Sequence, residues 1–179
     1  MPVARSAGHV AARPGSLRWW ATKVRQTKGH LLASVPASER EAAAGWLSMG
    51  QLDLFDRMHV ADQRHGLDVV AALRAAGEHD DEVLVAGLLH DAAKGRTGVV
   101  PRVLYSLGQA GVAWPARLGR RILPGMDASL DRLAGHAASS ARLAEAAGCS
   151  PRTVELIRWQ DDPRDPDAGE RLRLADEAS

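Results

Sequence analysis

The sequence is poor in several features, and each shortage excludes a class of protein. Its 179 residues include a single cysteine, Cys149, so no internal disulfide framework can form, which is typical of a reducing compartment. No apolar run approaches the roughly 18 residues of a membrane span, and the N-terminus lacks the apolar core of a secretory signal. We therefore expect a soluble, cytoplasmic protein.

Strand signals are also missing. Aromatic residues make up 4% of the chain, and it has no alternating β-branched or aromatic runs. Helical spacing, capping residues and closing glycines predict helices instead. The predicted helices run from the Ser38–Glu41 capping box, from Asp62 to Gly77, from Asp80 or Asp81 to Gly95, from about Asp127 to Ala147, from Ser150-Pro151 onward, and from near Ala168 to the C-terminus. Two shorter helices are predicted between Gly95 and Asp127. The fold class predicted is all-α, a single compact helical bundle domain.

Acidic residues are absent before Glu39, although the same segment carries six basic ones. We expect a disordered basic leader at 1–15, N-terminal helices at 16–51 and the main helical domain at 52–179. The net charge of +1 gives no general argument for a nucleic-acid partner. The basic segment leaves contact with an anionic membrane or a nucleic acid open, but a solvated leader is the favoured interpretation.

A histidine and an aspartate, His90 and Asp91, directly follow the apolar run LVAGLL. On a helix, Asp91 shares a face with Leu84 and Leu88, so it approaches buried surface. An ionised carboxylate there requires a cation, a metal or a hydrogen-bond network. The chain contains a second such dipeptide, at 79–80, but that one lies in the polar turn GEHDDE and we assign it no function.

Three further polar residues lie on predicted apolar helix faces: His65, His136 and Asp176. Taken singly, a histidine at such a position is more often a hydrogen-bonded core residue than a metal ligand, and the aspartate would be an ordinary carboxylate at a helix end. Together with the 90–91 pair they offer the ligand types of a divalent metal site in a helical bundle. Imidazole with carboxylate suits Mn, Fe, Co, Ni or Zn better than Mg alone. Sequence spacing leaves open whether the five side chains converge.

The order of these motifs resembles the HD-domain superfamily of metal-dependent phosphohydrolases. HDAAKG at 90–95 is similar to the signature of its HDIG-like subgroup, and LRLADEAS is similar to the closing motif of the superfamily. The resemblance runs from about residue 52 to the end. It implies an HD-type helical domain in which a divalent metal activates a water against a phosphate ester. The ligands that it implies for the first metal are His65, His90, Asp91 and Asp176.

The same resemblance implies catalytic roles for Asp91, beside the water, and for Lys94, whose ammonium would neutralise phosphate charge. A lysine at a helix C-terminus is also favoured by the helix dipole alone, and that interpretation of Lys94 stays open. The expected ligand is a small phosphate-containing molecule.

The chain departs from the family pattern where a second metal would bind. His136 is present, as a second-site ligand or a substrate contact, but the expected partner histidines fall on Arg158, Trp159 and Gln160. We therefore predict one metal per chain, with Trp159 closing part of the space for a second. Two functions remain: a phosphohydrolase acting on a nucleotide-like ester, or a catalytically weak or inactive HD module that binds metal or nucleotide for signalling or interaction.

Overall fold

The structure is a computed structural model that describes residues 33–95 and 97–179, the side chains at 99 and 109 excepted. Within these ranges it contains helices and no strand, which confirms the all-α prediction. The helices are α1 (Ala37–Ala44), α2 (Met49–Arg57), α3 (Val60–Ala75), α4 (Asp81–Leu89), α5 (Val99–Gln109), α6 (Trp114–Ile122), α7 (Met126–Ala134), α8 (His136–Ala146), α9 (Pro151–Arg158) and α10 (Ala168–Ala178).

The structure describes only part of the expected N-terminal region. The basic leader at 1–15 and the start of the 16–51 segment lie outside the described residues. The expected boundary at 51/52 falls inside α2, whose Leu54 and Phe55 are buried in the core. None of the described helices is both long and apolar enough to cross a bilayer.

Helix α4 lies at the centre of the bundle. Every residue from Val83 to Leu89 is buried, so this helix is covered on all sides. It packs against α3, α9 and α10, which are the elements that carry the other candidate site residues or their neighbours. The apolar run that precedes the His90–Asp91 pair is therefore the core helix itself.

Several helix boundaries agree with the sequence. Asp80 caps α4 by accepting a hydrogen bond from the backbone N–H of Glu82 at 3.0 Å. Ser150 caps α9 by accepting from the backbone N–H of Thr153 at 3.1 Å. The final helix, α10, begins at Ala168 as predicted.

Two predicted helix starts were wrong. Helix α1 begins at Ala37 directly after Pro36, so Ser38 is already inside the first turn and caps nothing. A capping box does occur at the next helix, where Ser48 and Gln51 bond each other's backbone N–H. Helix α3 begins at Val60 with His59 as its cap, which places Asp62 in the first turn.

Two predicted helices were too long. Helix α4 ends at Leu89, and turns rather than helix lead to Gly95, whose φ is +60°. The backbone N–H of Ala93 donates to Ser140 Oγ at 3.0 Å, a tertiary bond that replaces continuation of the helix. The helix predicted from Asp127 to Ala147 is interrupted at Gly135, a residue with low helix propensity, and forms α7 and α8.

Candidate metal centre

A close crossing of α3 and α4 builds the first part of the site. An added Cβ on Gly66 would lie 3.1 Å from the carbonyl carbon of Leu88 and nearer still to its oxygen, so only glycine allows this approach. The neighbouring residue in α3, His65, is thereby brought beside His90 at the end of α4. Their ring centroids are 5.2 Å apart, with the rings inclined by 66°.

Four of the sequence-predicted ligands converge at this crossing. One potential ligand atom from each of His65, His90 and Asp91 lies within 4.8 Å of the other two, a group that could hold a metal ion. Asp176, near the end of α10, places Oδ1 2.7 Å from His65 Nε2 and 3.4 Å from His90 Nε2. The four side chains come from α3, α10 and the C-terminal end of α4, so the site depends on tertiary packing.

The hydrogen bonding of His90 defines which nitrogen faces the cluster. Its Nδ1 lies 2.9 Å from the carbonyl oxygen of Gly87 and must be the donor there. Nε2 is therefore the nitrogen that faces the carboxylates, and once it loses its proton it presents a lone pair to them, as a metal-ligating imidazole does. His90 is 2% exposed, and its Nε2 has no hydrogen-bond partner among the described residues, nor does Oδ1 of Asp91. Two buried polar atoms without a hydrogen-bond partner among those residues fit a site that binds a metal ion.

The electrostatics of the cluster are dominated by its two carboxylates. Burial alone would lower the pKa of His90, but the neighbouring Asp91 and Asp176 raise this pKa to about 9. Burial would likewise raise the pKa of Asp91, yet His90 and Lys94 hold it below its usual range. The cluster therefore keeps Asp91 ionised although its side chain is 1% exposed. An anionic buried carboxylate beside imidazole is suited to binding a cation.

Lys94 also lies at the cluster. Its Nζ is 2.5 Å from Asp91 Oδ2, in the turn that follows α4, and the side chain is 22% exposed. Because α4 ends at Leu89, Lys94 is not in the last turn of a regular helix, which weakens the explanation by the helix dipole alone. The ammonium stands at the mouth of the site, in contact with a candidate ligand carboxylate.

His136 reaches the opposite oxygen of the same aspartate, with its Nε2 3.5 Å from Asp91 Oδ1. Its Nδ1 lies 2.7 Å from the carbonyl oxygen of Leu133 and donates to it, so a neutral ring has an acceptor at Nε2. That acceptor is met at 2.8 Å by the side-chain amide nitrogen of Gln160. The lone pair that a second metal would need is therefore engaged by Gln160.

Trp159 does not close this space, contrary to the sequence-based prediction. Its indole N–H donates to Glu155 at 3.0 Å, and the Arg164 guanidinium lies 3.5 Å above its ring. These residues line a surface cavity of about 320 Å³ that contains none of the candidate ligands. The residue after it, Gln160, is 7% exposed and occupies the position beside His136.

A buried ion pair beside the site was missed from the sequence. Asp62, which is 2% exposed, accepts from Arg102 Nη2 at 3.0 Å, and the Arg102 Nε–H donates to the carbonyl oxygen of Thr97 at 3.2 Å. The pair ties the loop after Lys94 to the first turn of α3. The available signal in the sequence is that Asp62 lies one helical turn before His65, although an aspartate near a helix start also predicts a cap, and His59 has that role here.

The comparisons with known proteins return nothing. No protein-family model matches the chain, and neither the curated proteins nor the solved structures include a significant match. The resemblance to the HD-domain superfamily therefore stays a prediction drawn from the motifs.

Proposed function

We propose that this chain is a metal-dependent phosphohydrolase, a phosphomonoesterase or phosphodiesterase acting on a nucleotide-like phosphate ester. The observation that carries the proposal is the convergence of two imidazoles and a buried carboxylate, with potential ligand atoms within 4.8 Å of one another. The order of the motifs that supply these residues supports the reaction class.

His65, His90, Asp91 and Asp176 are the residues that would hold the ion. Two imidazoles and two carboxylates are a donor set suited to Mn, Fe, Co, Ni or Zn rather than to Mg alone. When bound, such an ion would supply Lewis acidity toward water and a phosphate oxygen. The engagement of His136 by Gln160 supports one ion per chain.

The remaining chemistry belongs to the chain. Asp91 is kept ionised by its neighbours, so one of its oxygens can accept a proton from an attacking water. Lys94 carries a positive charge at the mouth of the site, where it can neutralise a substrate phosphate. His136 donates from Nδ1 to Leu133 and accepts at Nε2 from Gln160, so both of its nitrogens are engaged and it serves as a fixed polar neighbour of Asp91 rather than as a substrate contact.

One observation favours the second candidate, a module that binds a metal or nucleotide with little or no turnover. Both oxygens of Asp91 lie beside cationic or imidazole groups, Lys94 at Oδ2 and His136 at Oδ1. A carboxylate occupied in this way is a poorer proton acceptor. Such a module would retain the metal and release no phosphate.

The test is hydrolysis of a panel of phosphate esters by protein supplied with manganese. We expect phosphate release that is lost in Asp91→Ala and retained in His79→Ala, whose histidine lies in the polar turn before α4. Metal binding without any phosphate release would favour the second candidate. Absence of both would refute each of them.

A further inference from the structure

The chain contains a long stretch without acidic residues. From Ala92 to Met126, 35 residues, there is no aspartate or glutamate. The same stretch contains six basic residues: Lys94, Arg96, Arg102, Arg117, Arg120 and Arg121. Charged residues make up 25% of the protein and are nearly balanced in sign, so this segment is a local departure. It spans α5 and α6.

The same stretch carries most of the exposed apolar side chains. Seven of the ten large hydrophobic residues exposed in the described part of the chain lie between 100 and 123. Trp114, Leu118 and Ile122 follow one another at four-residue intervals in α6, with exposures of 67%, 48% and 63%. They form one outward stripe. On the inner side of α6, the Gly119 position faces Leu104 and Met126.

Basic residues border this stripe. Arg117 and Arg121 are exposed on α6, and neither makes an ion pair with any residue that the structure describes. Arg120 differs, because it bonds Asp127 at 2.9 Å and Asp131 at 2.8 Å on the adjoining helix α7. The outer surface of α6 therefore combines an apolar stripe that begins with a tryptophan and two guanidinium groups that pair with no residue in the described part of the chain.

We propose that the outer face of α6 binds the surface of an anionic lipid bilayer. An amphipathic helix with arginines beside a stripe of tryptophan, leucine and isoleucine has the composition of an interfacial membrane contact. Tryptophan prefers the headgroup level, and arginines are attracted to anionic lipid within a Debye length. The contact is peripheral, since no described helix can span a bilayer.

A second copy of this chain and a nucleic acid fit the outer face of α6 less well than an anionic bilayer does. A second copy of this chain would bring two basic faces together, and their like charges would repel each other. A nucleic acid would satisfy the arginines but would leave the indole and two aliphatic side chains without an apolar environment. An anionic bilayer complements both the charge and the apolar stripe. The inference does not depend on the proposed hydrolase function, because it uses no residue of the metal centre.

The test is cosedimentation of the full chain with vesicles of phosphatidylcholine alone or with roughly 30% phosphatidylserine. Wild-type protein should bind the anionic vesicles more tightly, and salt should weaken the binding. Arg117→Gln with Arg121→Gln should weaken it about 25-fold, taking roughly a fivefold effect for each arginine. Ile122→Ser should weaken binding to the anionic vesicles as well.

Matched controls separate this face from the rest of the surface. Arg142→Gln in α8 and Met49→Ser in α2 remove an exposed arginine and a methionine that is 89% exposed, and both should bind as the wild type does. The N-terminal basic segment is present in every variant, so the differences report on α6 alone. Equal binding to both kinds of vesicle, no binding, or wild-type binding by the α6 variants would overturn the proposal. Self-association that the same variants abolish, or binding to a DNA duplex instead of vesicles, would also overturn it.

Discussion

At the residue scale, Lys94 has two candidate roles: it binds a substrate phosphate, or it only balances the charge of Asp91. Its Nζ is 2.5 Å from Asp91 Oδ2, close enough to serve either purpose. If it contacts a substrate phosphate, Lys94→Ala should lower kcat/KM about ten- to a hundredfold, or roughly 1.5–3 kcal/mol. Metal content should stay near wild type and the variant should remain folded, although the loss of the ion pair with Asp91 should lower the thermal unfolding midpoint. Wild-type kinetics in this variant would assign Lys94 to charge balance alone.

Gln160 limits the number of metals that the site can bind. Its amide nitrogen engages the Nε2 lone pair of His136 at 2.8 Å, and a neutral amide is a poor ligand for metals that prefer imidazole. Gln160→His would replace this amide with an imidazole beside His136. Elemental analysis of that variant should show metal content rising from one toward two ions per chain.

The matched control for this prediction is the adjacent residue. Trp159 bonds Glu155 and stacks with Arg164 away from the cluster, so Trp159→His should leave metal content unchanged. Two metals in the unmodified protein would show that Gln160 does not limit the site.

At the scale of helices, the crossing of α3 and α4 sets the distance between His65 and His90. Gly66→Ala would place a methyl group inside contact distance of the Leu88 carbonyl, and the helices would have to separate. We expect a loss of about 1–3 kcal/mol in the free energy of unfolding, together with weaker metal binding. Chemical denaturation and metal titration measure the two effects.

Gly108 in α5 provides the control for the crossing. A Cβ there would meet no atom within 4 Å, so Gly108→Ala should leave metal binding unchanged. Its free energy of unfolding should rise by roughly 0.5–1 kcal/mol, because alanine favours a helix more than glycine does. Equal destabilisation by both substitutions would refute the role assigned to the crossing.

The turn between α3 and α4 is joined to α10 by Glu78. Its carboxylate accepts from the backbone N–H groups of His79 and Asp80, both at 2.9 Å, and from Arg171 at 2.8 Å. Burial alone would raise the pKa of Glu78, but these donors outweigh burial and hold the pKa below its ordinary value of 4.5. The ionised Glu78 carboxylate therefore stabilises the folded protein. Its contribution is fully present above the pKa that Glu78 has in the unfolded chain, and it is lost as the pH falls through the lower pKa in the folded protein.

Glu78→Gln should therefore destabilise the protein at pH 7, by about 1–3 kcal/mol. The difference from wild type should shrink as the pH falls below about 4.5, where the carboxyl group gains its proton. Urea denaturation between about pH 7 and pH 3 measures this difference in the free energy of unfolding. Glu145→Gln, at an exposed position in α8, should change the free energy by less than about 0.5 kcal/mol at any pH. A difference for Glu78→Gln that persists unchanged at pH 3 would contradict the argument.

At the scale of the whole molecule, the sequence predicted the helical class and the burial of His90, Asp91 and His136, whereas His65 and Asp176 are only partly buried. Helical periodicity is a local property, and caps such as Asp80 and Ser150 follow from local hydrogen bonding. The early end of α4 was not predictable, because it depends on a bond from Ala93 to Ser140, 47 residues away. Convergence of His65 with Asp176 likewise joins residues 111 positions apart, a separation that no spacing rule covers.

The neighbours of the site show the same limit. Gln160 was recognised as a poor metal ligand, but its contact with His136 follows from how α9 packs against α8. The prediction that Trp159 fills this space was wrong, because the sequence does not define which residue at the end of α9 turns inward, and Gln160 is the one that does. The Asp62–Arg102 pair likewise joins residues 40 positions apart, one in α3 and one in α5.

We propose that four side chains, from α3, from the C-terminal end of α4 and from α10, form one metal site. The most direct test is the number of metal ions per chain, measured by elemental analysis after the protein is offered manganese and zinc and then freed of unbound metal. We expect one ion in the wild type and in His79→Ala, and close to none in His90→Ala, which should remain folded. No bound metal in the wild type, or equal metal content in His90→Ala, would show that these four side chains do not form a metal site.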